Sequence, residues 1–209
     1  MDEALVREVV RRLLDRLDTD PTQVVAGVSN RHIHLTEVDV KILFGEDYML
    51  TKVRDLRQPG QYACKETVTL ATAGGVLENV RILGPTRKNT QVEMAPSDAR
   101  KLHIDIPLVK SGSSQPCPPL VVIGPNGHIV LKKGVGMAWR HMHLSPSEAE
   151  TLGLKDGMEV DVEVGGDRGL IFKRVWVRVG PNMVSEFHVD IDEANACGLK
   201  TGDYVRVLV

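Results

Sequence analysis

Four segments of this chain follow one pattern, and that repeat constrains the fold more than any other feature of the sequence. They read HLTEVDVKILFG from His34, EMAPSDARKLHI from Glu93, HLSPSEAETLGL from His143 and HVDIDEANACGL from His188. All four have an apolar second residue, an acidic sixth residue and a small or branched apolar seventh residue. Self-similarity of this kind predicts one supersecondary unit that is used four times.

The residues that follow the first position of each repeated unit predict its secondary structure. Ser145 is followed by Pro146 and then by Glu148, which is the sequence of a capping box at a helix N-terminus. Asp190 and Glu193 have the same spacing and predict a second capping box. We therefore expect each unit to be a strand end, a capping turn and a short helix. Side chains at such strand ends can converge on one site.

Two of the units begin inside a His-x-His pair, in NRHIHLT at residues 30–36 and in WRHMHLSP at residues 139–146. On a strand, residues i and i+2 lie on the same face about 7 Å apart, so both histidines of a pair can bind one ion. Adding the first residues of the other two units completes two candidate ligand sets. These are His32, His34 and Glu93, and His141, His143 and His188.

Both sets have the composition of catalytic zinc sites, in which three protein ligands leave one coordination position open. Closed structural zinc sites usually contain cysteine, and neither set does. The alternative is that these are hydrogen-bonded structural histidines, which is how we interpret His103 and His128 outside the pattern.

The turn GPTRKNTQV at residues 84–92 places Arg87 shortly before Glu93. A guanidinium there could bind an oxyanion at two points beside the metal ligands. The alternative is a solvated hairpin turn, and the residues alone do not decide between the two. The corresponding turn of the second half, GPNMVSEF, has no basic residue. We therefore expect an anion site with a cation from the first half only.

Charge and cysteine content exclude several classes of protein. The chain has 26 Lys and Arg against 28 Asp and Glu, a formal net charge of −2, so neither nucleic acid nor an anionic membrane is an expected partner. The cysteines are Cys64, Cys117 and Cys197, without CxxC spacing, and no apolar run has signal-peptide or transmembrane length. We expect a soluble protein in a reducing, intracellular setting.

Short apolar runs separated by Gly, Pro and Asn follow from Val24 onward, so the predicted fold is mostly β with short helices, in two similar halves. Residues 1–20 are expected to form an N-terminal amphipathic helix, with an apolar stripe within residues 2–18 that serves either as core or as a docking surface. The expected boundaries are 21–110 for the first domain, 111–119 for a Ser/Gly/Pro-rich linker and 120–209 for the second domain.

At these residues the chain resembles the PduL-type phosphotransacylases, the phosphate propanoyltransferases associated with bacterial microcompartments and propanediol degradation. The resemblance covers nearly the whole chain and is carried in order by GVSNRHIHL, QPGQYACKETVTL, NVRILGP, QVEMAPSDAR, PLVKSGS, RHMHLSP, GDRGLIF and FHVDIDEANA. It implies two β-barrel domains around a dinuclear zinc site, and exchange of acyl-CoA and phosphate for acyl phosphate and CoA.

By matching motifs, the resemblance implies that the two ligand sets hold one Zn²⁺ each, two per chain, and that Arg87 binds phosphate and acts in catalysis. It leaves the CoA-binding residues unknown. It also implies that residues 2–18 bind microcompartment shell or cargo proteins as an encapsulation peptide. The expected location is therefore the microcompartment lumen or the cytoplasm, and we expect a homo-oligomer.

Two other functions fit the same residues. A dinuclear metal-dependent phosphoester hydrolase could use these ligands to activate water. A non-catalytic shell or cargo adaptor could hold the metals for structure alone. We expect phosphotransacylase chemistry, by direct attack of phosphate on the thioester carbonyl in a ternary complex.

Overall fold

The computed structural model describes residues 20–110, 112 and 115–209 of the chain. The helix predicted at residues 1–20 lies outside the described residues apart from Asp20. The described part is mostly β, with 46% strand and 15% helix, arranged as one closed barrel and one curled sheet with short helices. This confirms the predicted fold class.

The strands in chain order are β1 (Gln23–Ser29), β2 (His32–His34), β3 (Lys52–Asp55), β4 (Tyr62–Ala71), β5 (Val76–Gly84), β6 (Gln91–Glu93), β7 (Leu108–Val109), β8 (Pro116–Ile123), β9 (His128–Lys133), β10 (Val135–Ala138), β11 (His141–Leu144), β12 (Glu159–Val164), β13 (Leu170–Val179), β14 (Glu186–Asp190) and β15 (Tyr204–Leu208). The helices are α1 (Glu37–Phe44), α2 (Pro96–Lys101), α3 (Pro146–Leu152) and α4 (Ile191–Cys197). Within the described residues, none of the helices has the length and apolar character needed to cross a membrane.

The barrel closes in the strand order β1-β14-β11-β13-β12-β15. Its interior is filled by apolar side chains such as Met142, Leu144, Val177 and Phe187, none of which is exposed. The curled sheet runs in the order β7-β10-β6-β2-β5-β4-β8-β9, with β3 paired to β4. It has its own core, in which Ile33, Leu70 and Ile82 are fully buried. Each sheet therefore has a separate core.

Sheet membership does not follow the predicted boundary at residues 111–119. Strand β1 lies in the barrel, paired with β14 and β15, whereas β8 and β9 lie in the curled sheet. The Ser, Gly and Pro content of SGSSQPCPP indicated a linker, but β8 begins within this segment at Pro116 and pairs with β4 and β9. The chain changes sheet instead at residues 30–31 and 139–140, immediately before each His-x-His pair.

The four repeated units have the predicted form. Each helix directly follows the capping turn after β2, β6, β11 or β14. The apolar seventh residues of the units are all buried: Val40, Ala99, Ala149 and Ala194. The second residues are buried as well: Leu35, Met94, Leu144 and Val189. The repeated apolar positions therefore anchor each short helix to its sheet.

The capping box at Ser145 is confirmed, with the Ser145 side chain accepting from the Glu148 backbone and the Glu148 carboxylate accepting from the Ser145 backbone. The second predicted capping box is only half formed. The Asp190 carboxylate accepts from the Glu193 backbone N–H at 2.9 Å. The Glu193 carboxylate lies instead 2.7 Å from Arg140 Nε. An ion pair with an arginine thus replaces the return bond to the backbone.

Candidate active site

The barrel brings three of the predicted residues together in one cluster, His141, His143 and His188, which we call the barrel cluster. Antiparallel pairing of β11 with β14 places His141 opposite His188, and His143 follows two residues later on the same face. One ligand atom from each of the three side chains lies within 4.8 Å of the others. The two Nε2 atoms of His141 and His143 are 3.1 Å apart.

The surroundings of His141 and His143 direct these nitrogens into the cluster. His141 Nδ1 is held by the Trp139 carbonyl at 2.8 Å, and His143 Nδ1 lies 3.4 Å from the Met183 sulfur. Burial, aided by His188, lowers the pKa of His141 to about 3. Burial, aided by His141, lowers the pKa of His143 to about 2. Both rings are therefore neutral near pH 7, which is the form that binds a metal ion.

The curled sheet repeats this arrangement with a carboxylate in place of the third imidazole. Strands β2 and β6 pair antiparallel with His32 opposite Glu93, and we call His32, His34 and Glu93 the sheet cluster. His32 Nε2 lies 3.7 Å from Glu93 Oε2, and the two imidazole ring centres are 5.2 Å apart. Burial, aided by His32 and Arg87, lowers the pKa of His34 to about 2.

The sheet cluster is looser than the barrel cluster. Among the described residues, only the barrel cluster has three potential ligand atoms that all lie within 4.8 Å of one another. The donor types of both clusters nevertheless fit Zn²⁺, since neutral imidazole nitrogens and one carboxylate are its usual ligands in catalytic sites.

Both clusters open into one cavity of about 1120 Å³ between the barrel and the curled sheet. All six predicted ligand residues line it, together with Arg87. The charge of Glu93 is one of the effects that raise the pKa of His141, so the two clusters lie close enough to interact electrostatically. The structure therefore brings together every residue that the sequence predicted for the site.

Arg87 is half-buried in the cavity wall, whereas the neighbouring Lys88 and Asn89 are exposed. The Arg87 backbone N–H donates to the Leu35 carbonyl at 2.8 Å, and Nη1 donates to Gln91 Oε1 at 3.0 Å. Burial lowers the pKa of Arg87, and the Glu93 carboxylate opposes this effect. Its position favours a site residue over the alternative of a solvated turn.

The expectation of a cation from the first half only is wrong, because Arg178 of β13 also lines the cavity. Parallel pairing of β11 with β13 places Arg178 beside His143. Within the described residues, its guanidinium has no ion pair or hydrogen bond and stacks 5.3 Å above the Trp176 ring. The alternation in LIFKRVWVRV marks Arg178 as a strand residue, but only the pairing with β11 shows that it faces the cavity.

Cys64 also lines the cavity, but it is not suited to act as a nucleophile. Burial and the nearby Glu66 carboxylate raise the pKa of its thiol to about 11, so the thiol stays protonated near pH 7. Cys197 is a buried residue of the barrel core and stands at the position of its repeat unit that Leu152 occupies in another unit.

Two arginine–carboxylate ion pairs connect the strands of the clusters to neighbouring helices. Arg31 precedes the first His-x-His pair and lies 3.2 Å from Asp98 of α2. Arg140 precedes the second pair and lies 2.7 Å from Glu193 of α4. Each pair thus connects the strand that carries two histidines to the helix that follows the third cluster residue. In the sequence, both arginines stand directly before a His-x-His pair. The sequence alone did not identify Asp98 and Glu193 as their partners.

Comparisons with known proteins identify a family to which nearly the whole chain is similar. The sequence profile of a family described as phosphate propanoyltransferase matches residues 25–200. A phosphate propanoyltransferase of Thermotoga maritima is 51% identical over 95% of both chains. One from Rhodopseudomonas palustris is 48% identical over 90% of this chain and 83% of its own. One from Salmonella typhimurium is 45% identical over 95% of this chain and 93% of its own.

Proposed function

The chain belongs to the phosphate propanoyltransferase family, and from this premise we propose that it transfers a short-chain acyl group between CoA and phosphate in the cavity between the barrel and the curled sheet. Membership of the family makes it an acyltransferase. The proposed reaction exchanges propanoyl-CoA, or a similar short-chain acyl-CoA, and phosphate for acyl phosphate and CoA. The observation that carries the proposal is one cavity lined by both clusters together with Arg87 and Arg178.

We propose that each cluster holds one Zn²⁺, so that the chain binds two ions. The sheet cluster would bind through His32, His34 and Glu93, and the barrel cluster through His141, His143 and His188. The buried imidazoles of His34, His141 and His143, which are neutral near pH 7, and the absence of cysteine from both sets support open, catalytic sites. When bound, such ions supply Lewis acidity that stabilises the thiolate of CoA and the charge of phosphate.

The two arginines are proposed to bind the phosphate. Arg87 approaches from the curled sheet and Arg178 from the barrel, and each can donate two parallel hydrogen bonds to phosphate oxygens. Their charges offset the repulsion between phosphate and the Glu93 carboxylate. Both groups are partly withdrawn from water, which strengthens their interaction with an anion.

With phosphate and the thioester held together, a phosphate oxygen attacks the thioester carbonyl carbon. A C–O bond forms and the C–S bond breaks, with its electron pair leaving on sulfur, and the phosphate proton ends on that sulfur. Holding both substrates in one cavity makes this step effectively intramolecular. The protonated Cys64 thiol supports direct transfer without a covalent enzyme intermediate.

An assay with acyl phosphate and CoA distinguishes transfer from hydrolysis. We expect formation of acyl-CoA at a rate that depends on both substrates. Release of phosphate from acyl phosphate at the same rate without CoA would instead identify the phosphoester hydrolase.

Removal of metal by a chelator tests the adaptor alternative. We expect a protein that keeps its circular dichroism spectrum and loses transferase activity, with activity returning when Zn²⁺ is added back. Full activity in metal-free protein would contradict a metal-dependent reaction.

We also propose that residues 2–18 bind shell or cargo proteins and place the enzyme in a microcompartment lumen, the alternative being the cytoplasm. The apolar stripe within these residues supports the proposal. The predicted homo-oligomer stays a prediction.

A further inference from the structure

The Arg87 guanidinium is held by Gln91, a buried residue of β6. Arg87 Nη1 donates to Gln91 Oε1 at 3.0 Å, and only 5% of the Gln91 surface is exposed. The described residues that line the cavity include Arg87 but not Gln91. Any effect of Gln91 on an anion in the cavity is therefore exerted through Arg87.

The backbone around Gln91 is tied to neighbouring elements on both sides. In the pairing of β6 with β2, Gln91 lies opposite His34. The hydroxyl of the preceding residue, Thr90, accepts from the Thr36 backbone N–H at 3.1 Å and donates to the Asp39 carboxylate. These contacts join the end of the turn that carries the arginine to the start of α1. The amide oxygen of Gln91 is thus presented from a supported position.

The partner of Arg87 is uncharged, whereas other arginines of the chain pair with carboxylates. Arg140 Nε lies 2.7 Å from Glu193 Oε1, and Arg174 Nε lies 2.8 Å from Glu159 Oε2. A carboxylate partner offsets the guanidinium charge that a second anion could use. An amide oxygen accepts the same hydrogen bond and leaves that charge in place.

Arg178, the second arginine proposed to bind phosphate, also rests against an uncharged group. Its guanidinium lies 5.3 Å from the centre of the Trp176 ring. The Glu93 carboxylate already acts electrostatically on both Arg87 and Arg178. One more carboxylate beside either arginine would therefore weaken the attraction for phosphate further.

We propose that Gln91 is a positioning residue for acyl transfer: its amide oxygen orients the Arg87 guanidinium toward phosphate, and its lack of charge preserves the charge of that guanidinium. The required property is an uncharged hydrogen-bond acceptor of this length at residue 91. The inference deepens the proposed function and rests on it in one respect, that Arg87 binds phosphate.

Calorimetric titration of the zinc-loaded full chain with inorganic phosphate tests the inference without relying on turnover. Gln91→Glu keeps the size of the side chain and its acceptor oxygen but adds a charge, so phosphate affinity should fall roughly tenfold or more. Gln91→Met keeps the length and removes the acceptor, and should lower affinity roughly threefold. Gln23→Glu is the matched control, because Gln23 is exposed on β1 and does not line the cavity.

Steady-state kinetics separates positioning from a general structural role. In Gln91→Glu the KM for phosphate should rise while the KM for acyl-CoA stays within about twofold of the unaltered chain. Circular dichroism and zinc content check that the fold and the sheet cluster are intact. A residue needed only as a hydrogen-bond acceptor would tolerate glutamate. Unaltered phosphate affinity in folded, zinc-loaded Gln91→Glu would therefore overturn the inference.

A double-mutant cycle with Arg87→Ala distinguishes failure of the inference from failure of the proposed function. If Gln91 acts through Arg87, adding Gln91→Met to Arg87→Ala should cause no further loss of phosphate affinity. Fully additive losses would overturn the inference and leave the role of Arg87 intact. Unchanged phosphate affinity in Arg87→Ala would contradict the proposed phosphate site and the inference together.

Discussion

The barrel cluster and the sheet cluster share one backbone plan and differ in chemistry. In both, a strand with His-x-His pairs antiparallel with the strand that carries the third residue, and His141 and His32 occupy the same register position. The third residue is His188 in the barrel and Glu93 in the curled sheet. The barrel cluster is the more compact of the two, with ligand atoms within 4.8 Å of one another.

This difference shows how a repeated fold can give two distinct electrostatic environments. Three neutral imidazoles leave the full charge of a divalent ion, whereas a carboxylate neutralises part of it. The charge of Glu93 also acts on Arg87 and Arg178, and raises the pKa of both against the effect of burial. We infer that the carboxylate serves both as a proposed ligand and as the group that balances the two cations.

The largest effect on catalysis is expected from removing Arg87, the cation beside the sheet cluster. Arg87→Ala should lose about 2–4 kcal/mol of transition-state stabilisation, because a charged partner of a developing anion is lost. Arg87→Lys should raise the KM for phosphate, since a point charge does not reproduce the planar guanidinium. Steady-state kinetics with varied phosphate checks both.

Removal of Arg178, the cation beside the barrel cluster, should reduce catalysis less than removal of Arg87. Arg178→Ala is expected to lower kcat/KM for phosphate about tenfold, equivalent to about 1.4 kcal/mol. Arg174→Ala on the same strand is the control, because Arg174 is exposed and pairs with Glu159 outside the cavity. Equal phosphate dependence in Arg178→Ala and Arg174→Ala would remove Arg178 from the anion site.

The two arginine–carboxylate ion pairs should also differ in how much they contribute to the free energy of unfolding. Arg31→Ala leaves the Asp98 carboxylate, only 3% exposed, without its guanidinium and should cost about 3 kcal/mol in the free energy of unfolding. Arg140→Ala should cost about 1–2 kcal/mol, because the Glu193 side chain is 20% exposed and better hydrated. Lys173→Ala, in an exposed pair with Asp161, serves as control and should cost less than 1 kcal/mol. Urea unfolding that ranks Arg140→Ala above Arg31→Ala would contradict this account.

Removal of residues 1–18 should have the smallest effect on catalysis. All predicted ligands begin at His32, so transferase activity should stay within about twofold of the full chain while co-purification with shell proteins is lost. Enzyme assay and shell pull-down of the truncated chain measure the two properties. An insoluble or unfolded product would assign the segment to the core.

The sequence predicted the repeated unit and the site residues because both depend on local pattern. The cap at Ser145 and the buried seventh residues such as Ala149 follow from spacing along the chain alone. Convergence of the four first residues of the units, His34, Glu93, His143 and His188, followed from the position of each at a strand end. Ligand roles for these residues stay predictions.

Features that depend on pairing between distant strands were not predicted. Insertion of the curled sheet between β1 and β11 arises because β1 pairs with β14 and β15, more than 150 residues away. Arg178 was missed for the same reason, since its position beside His143 requires the pairing of β11 with β13. Gln58 and Glu186 meet only across the two sheets.

Metal content per chain in Glu93→Gln tests most directly the claim that the two clusters are equivalent in plan and distinct in chemistry. The substitution keeps the size of the side chain and removes its charge, so elemental analysis after dialysis should show about two zinc ions in the unaltered chain and about one in the variant. The remaining ion should be lost only when His141, His143 or His188 is also replaced. Glu93→His should partly restore the second ion, since it recreates the barrel cluster in the curled sheet. Two ions retained in Glu93→Gln, with unchanged activity, would contradict the account and leave the repeat as a feature of the fold alone.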